Sequence, residues 1–164
     1  MVEPWLRGTL TEFDAVRRQV LHALQLTSED CTRWCSSLTL AELGLSPFGL
    51  PSVAFQMRHT VRSLDRLLTY LEGRQLVPEQ MLALQTEADP FDSEAGLFRE
   101  FQAGMASAAE RVRAVAPLTF EEVRGVGRSR LPSTVGGLLV HCAEHTQRHT
   151  GQMVTTAKLV VALR

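Results

Sequence analysis

Two histidines, His145 and His149, stand one helical turn apart within a stretch whose same-face neighbours Val135, Leu138, Leu139, Cys142, Met153, Ala157, Val160 and Leu163 are apolar. Imidazoles placed in a helical core must find partners, because each unpaired buried ring nitrogen costs roughly 1–3 kcal/mol. At this spacing both rings project to one side and can meet a single cation at about 2.0–2.1 Å. The residues between them are Thr146, Gln147 and Arg148, so the pair lacks the Glu that follows the first His of a zinc-protease helix. His141 lies one further turn back, about 12 Å of helix rise from His149, too far to close on the same ion. A third ligand must come from elsewhere in the chain, and the candidates are His22 and His59. His22 falls opposite Phe13, Val16 and Val20 and is expected to be solvated. His59, near Phe55, Ser63 and Tyr70, borders the polar face of its helix, a placement compatible with a pocket near one end of a bundle. The pattern alone leaves two readings open: a metal site of His59, His145 and His149, or core and rim histidines satisfied by hydrogen bonds.

The elements that would position these residues are helical. Thr9 and Glu12 have capping-box spacing, and Phe13, Val16, Val20 and Leu24 then mark one face of a first helix over about 10–26. Gly44, Pro47, Gly49 and Pro51 break the pattern over residues 37–51, leaving a connection with one short turn of helix. Val53, Met57, Val61, Leu64, Leu68 and Leu71 define a second helix ending near Gly73. A polar segment with Pro78, Asp89, Pro90 and Asp92 leads to a third, carried by Phe98, Phe101, Met105, Ala108, Val112 and Val115. Between Pro117 and Pro132, an extended loop bears Arg124, Arg128 and Arg130, and a fourth helix starts near Ser133 and runs almost to the end. No strong strand is expected, so the architecture is an all-α four-helix bundle.

The 164 residues fit one domain over 1–164. Seventeen basic against eighteen acidic side chains leave a net charge of −1, which gives no global field for nucleic acid or anionic membranes. Apolar runs such as Leu159 to Leu163 fall far short of the roughly 20 residues that cross a bilayer. The amino terminus does not read as a signal peptide, and three cysteines, Cys31, Cys35 and Cys142, are too few for a disulfide framework. A cytoplasmic location is the expectation.

The segment Met57-Arg-His59-Thr-Val-Arg-Ser-Leu-Asp65-Arg-Leu-Leu-Thr-Tyr70 resembles the second helix of the DinB-like (YfiT-like) metal-binding bundles. His141-Cys-Ala-Glu144-His145-Thr-Gln-Arg-His149-Thr-Gly151-Gln152 is similar to their last helix, with its HxxxH followed by x-Gly-Gln. The resemblance extends over nearly the whole chain by helix order and is specific in these two segments. It implies an up-down-down-up bundle, a divalent ion, zinc or nickel, on His59, His145 and His149, and open coordination positions. It also implies a homodimer, for which Trp5, Trp34, Phe48 and Phe91 are the candidate exposed contacts. Thr150 departs from the Arg that many relatives carry, which puts a substrate contact at that position in question. Characterised branches include S-transferases that use bacillithiol or similar small thiols and a mycothiol-dependent isomerase.

Three neutral imidazoles leave an ion its full charge and an exchangeable position, the arrangement that turns a bound thiol into the nucleophilic thiolate. The expected function is therefore metal-dependent activation of a low-molecular-weight thiol toward a small-molecule electrophile. The alternatives are a metal-dependent hydrolase and a non-catalytic, metal-stabilised stress-response or binding protein. Arg62 and Arg128, with Arg124 and Arg130, are candidates for holding a carboxylate on thiol or substrate. Glu144 is a candidate proton acceptor or partner behind a ligand, whereas Cys142 reads as a small core residue and Tyr70 as packing. Because an unperturbed His titrates near roughly 6.5, metal affinity is expected to fall as pH drops through about 6.

Overall fold

A computed structural model describes residues 2–164. Its elements in chain order are α1 (Ala15–Cys35), α2 (Leu40–Leu43), α3 (Val53–Leu71), α4 (Pro78–Gln85), α5 (Glu94–Ala114), the strands β1 (Val123–Val126) and β2 (Leu131–Thr134), and α6 (Val135–Ala162). The four long helices form an all-α bundle. Polar side chains start each of them: Asp14 Oδ1 accepts from the amides of Val16 and Arg17, Ser52 Oγ from Phe55, Ser93 Oγ from Gly96 and Thr134 Oγ1 from Gly137. Helix α3 stops at Gly73, whose φ of +76° is the left-handed conformation that closes a helix end.

Round the bundle the order is α1, α6, α3, α5, with α1 diagonal to α3. The long connection between these two helices, which carries the short α2, is what lets them sit on the diagonal. Leu24 of α1, Leu64 and Leu68 of α3, Phe101 and Met105 of α5, and Leu139 and Met153 of α6 fill the interior. Each such side chain contributes about 1.5–3 kcal/mol when fully removed from water. Helices α3 and α5 approach closely because α5 carries Gly104 opposite Val61.

Helix α1 differs from the reading over 10–26: its cap is Asp14 and it continues to Cys35. The segment after Leu26 looks too polar for a helix, but its hydroxyls turn back on the preceding turn. Thr27 Oγ1 donates to Ala23 O, Ser28 Oγ to Leu24 O and Thr32 Oγ1 to Ser28 O. The buried stripe then runs on through Thr27, Cys31 and Cys35. His22 is buried, not solvated. The amino-terminal segment folds back over this face of α1, fixed by Arg7 on Glu29 at 2.6 Å, and places Thr9 Oγ1 3.3 Å from His22 Nε2.

Two expected connections hold regular structure. The Pro78 segment forms α4, with proline in its first turn and the Gln80 side chain accepting from the Val77 amide. The loop after Pro117 closes into an antiparallel hairpin, with Val123 opposite Thr134 and Val126 opposite Leu131. Pro132 and two glycines obscured these strands, and a lone two-stranded ribbon tolerates a proline that lacks the N–H for one rung. The hairpin leans on α3 through Arg124 Nε, which donates to Leu71 O at 2.7 Å. Of the aromatic residues expected to be exposed, Trp5 and Phe48 are, but Trp34 and Phe91 are half-buried. Trp34 lies under the cations of Arg33 and Lys158, and Phe91 under Arg58. No helix among the described residues is long and apolar enough to cross a membrane.

Candidate metal centre

Helix α3 carries His59 and helix α6 carries His145 and His149, and the packing of these helices brings the three rings together. Ring centroids lie 5.2 Å apart for His59 and His145, 4.3 Å for His59 and His149, and 4.4 Å for His145 and His149. One nitrogen from each ring lies within 4.8 Å of the other two. His22, on α1, takes no part in the cluster.

The outer nitrogens fix which atoms face inward. His59 Nδ1 donates to Glu87 Oε2 at 2.7 Å, because a carboxylate only accepts. Ser63 Oγ lies 3.4 Å from the remaining Nε2. His149 Nδ1 donates to Gln56 Oε1 at 2.8 Å, and Gln56 Nε2 donates onward to Gln152 Oε1 at 3.1 Å. Both rings are thus held as the tautomer whose Nε2 keeps its lone pair, the arrangement that supporting hydrogen bonds impose on metal-binding histidines. Phe55 stacks on His59 with centroids 5.4 Å apart and planes 12° from parallel.

Burial, then the neighbouring imidazoles of His149, His59 and His141, pushes His145 down to about 4. Burial and the charge of His59 do the same to His149, also to about 4. Both rings are therefore neutral near pH 7, the form that ligates metal. Burial works against the Glu87 carboxylate, but hydrogen bonds from His59 and Arg66 outweigh it and hold its pKa below the ordinary value. His145 Nδ1 is buried with no hydrogen-bond partner among the described residues. An orphaned ring nitrogen beside two imidazoles whose Nδ1 atoms are held by hydrogen bonds fits a divalent ion of the zinc or nickel type.

A cavity of about 410 Å³ opens over His59 and His145. Its apolar wall is Leu67 and Tyr70 of α3, Leu76, and Met81 and Leu84 of α4. Ser63, Arg66, His141 and the hairpin turn at Gly127 and Arg128 complete it. Tyr70, read as packing, is therefore also part of the cavity wall.

The family model of the DinB superfamily matches residues 12–153. The chain belongs to the DinB superfamily. No curated protein matches the sequence at a significant level. Among solved structures, a conserved protein from Enterococcus faecalis superposes with a TM-score of 0.75 over 92% of this chain and 99% of that one, at 19% identity, a likeness of fold.

Other expected site residues of this DinB-superfamily chain fall differently. Arg62 faces away from the cavity, with Nε on Glu100 at 2.7 Å and Nη1 on Ala83 O at 2.8 Å. Arg124 is spent on Leu71 O and Glu122, whereas Arg128 reaches the cavity. Glu144 is exposed and does not reach the cluster: it accepts from Arg148 and lies 3.3 Å from His141 Nδ1. Cys142 is fully buried, and burial pushes its thiol up to about 12. Thr150 points at α1, with its hydroxyl 2.8 Å from that of Thr27, so the missing Arg removes nothing from the cavity.

Glu87, Arg66 and Gln56 escaped the sequence reading. Glu87 lies beyond α4, in a polar stretch with no periodic signal, and only the tertiary fold brings it to His59. Gln56 had a usable signal, since it sits three residues before His59 among apolar positions and is itself buried.

Proposed function

We propose that this protein holds one divalent ion on His59, His145 and His149 and uses it to activate a small thiol for attack on an electrophilic carbon. The observation that carries this reading is the convergence of three imidazole nitrogens within 4.8 Å beside an open cavity that His59 and His145 line. An ion bound there supplies Lewis acidity, lowering the pKa of a thiol or water that reaches it. Glu87 and Gln56 orient two ligand rings, Phe55 covers the back of His59, and the apolar wall keeps bulk water from the reacting end of a bound molecule. Cys142 supplies no nucleophile, because it is buried and its thiol is protonated at neutral pH.

The cavity favours a reaction over a purely structural ion, since structural zinc sites are closed by four protein ligands. Elemental analysis of purified protein, followed by a conjugation screen of several thiols against several electrophiles, tests the proposal. About one ion per chain is expected, lost in His59→Ala, His145→Ala and His149→Ala and kept in His22→Ala. Full occupancy in all three cluster variants would remove the site; metal-dependent hydrolysis without thiol turnover would favour the hydrolase. We also infer a homodimer, for which exposed Trp5 and Phe48 are available, and a monomer mass by light scattering excludes it.

A further inference from the structure

The charges around the cavity are unequal in what they have left to bind. Arg66 Nη1 is held by Glu87 at 2.9 Å and its Nη2 by Ser63 at 2.9 Å, so its charge is answered inside the wall. Glu87 is spent on Arg66 and His59, and Glu144 on Arg148 and His141. No aspartate or glutamate among the described residues lines the cavity. Arg128, at the tip of the hairpin, has neither an ion pair nor a side-chain hydrogen bond among the described residues, yet its side chain lines the mouth. The largest part of the wall between that mouth and the histidines is apolar, supplied by Leu67, Leu76, Met81 and Leu84.

We propose that the cavity takes a small amphiphilic anion: an apolar body of medium length whose carboxylate pairs with Arg128 and whose other end lies at the histidine cluster. A guanidinium without a partner offers paired N–H donors that match a carboxylate, and an acid-free lining imposes no repulsion on it. The leucines and Met81 remove the hydrocarbon from water, the main source of affinity in a cavity of this size. Among the described residues that line the cavity, the arginine left free stands at the mouth, so the acid group is directed there and the uncharged end to the reacting position. This substrate class rests on reading the cavity as the reaction site.

The test is calorimetric titration of octanoate, octan-1-ol and octylamine into protein stripped of metal by a chelator, where Arg128 acts without an ion. Octanoate is expected to bind about tenfold more tightly than octan-1-ol, and octylamine most weakly. Arg128→Gln, at an exposed turn position, should abolish the advantage of octanoate and leave octan-1-ol unchanged. Leu84→Gln, at another exposed position, should weaken both. Equal binding of octanoate and octan-1-ol, an Arg128→Gln variant with unaltered octanoate affinity, or no binding of octanoate overturns the proposal. Because the titration needs no ion, octanoate binding by a protein that takes up no metal defeats the metal reading alone. Metal uptake without octanoate binding defeats the amphiphile alone.

Discussion

Glu87 Oε2 and His59 Nδ1, 28 positions apart in sequence, meet at 2.7 Å and fix the one ring that α3 contributes to the histidine cluster. The carboxylate also takes Arg66 at 2.9 Å, so one buried acid ties the segment after α4 to the cluster. Replacing Glu87 by Gln keeps the shape but removes the charge that makes His59 a better donor. Metal affinity is expected to drop about 10–100-fold, read by competition with a chromophoric chelator. Unchanged affinity in Glu87→Gln would sink the assigned role.

Acid should weaken the fold over the window between the ordinary histidine value and about pH 4. His145 and His149 have folded-state pKa values near 4, below the ordinary 6.5. A depressed imidazole means the unfolded chain takes up protons that the folded chain refuses. Stability of the metal-free protein is therefore full above about 6.5 and falls as pH drops toward 4. For the same reason, protons compete with an ion for His145 and His149 only below the value near 6 expected from unperturbed rings. Denaturant midpoints at several pH values, with metal retention measured alongside, check both statements; a midpoint constant between pH 6.5 and 4 contradicts the first.

Thiol chemistry should be silent in the folded state. Cys31, Cys35 and Cys142 are free and buried, and burial holds Cys142 protonated with a pKa near 12. A soluble alkylating reagent is expected to label none of them rapidly in native protein and all of them in denaturant, by intact mass. Cys142→Ala should keep metal and turnover with a modest loss of stability. A variant that keeps metal and fold yet loses all turnover would make Cys142 the nucleophile after all.

The contact between α3 and α5 gives a purely structural prediction. A Cβ at residue 104 would lie 2.5 Å from Val61 Cβ and 2.9 Å from its Cγ1, atoms fixed close to the helix backbone. Gly104→Ala should destabilise by about 1–3 kcal/mol despite alanine's better helix propensity, lowering the melting temperature. A Gly104→Ala, Val61→Ala double variant should show non-additive recovery of the strain.

The helices and two of the three clustered histidines were legible because periodicity on one face is a local signal, and His145 and His149 interrupt it together. His59 was harder, since it sits on the flank of its helix. What stayed hidden depends on chain crossings. The burial of His22 comes with Thr9 and the folded-back amino-terminal segment, and in the last turns of α1 the hydroxyls are satisfied by carbonyls of the preceding turn, a pairing that no pattern displays. The hairpin was obscured by Pro132, although the segment bearing Arg124, Arg128 and Arg130 already read as extended. Glu87 belongs to the same class: its acid is ordinary in sequence and becomes specific only beside His59.

The cavity is built from parts of unequal commitment to the fold. Its histidines stand on helices whose other faces make the core, but α4 and the two strands contain no fully buried residue. Substitutions in those outer walls can reshape the entrance at little expense to the helices that hold the imidazoles. Such an arrangement lets a lineage change what it admits while its inner chemistry stays the same, so molecular diversification is easiest at the rim.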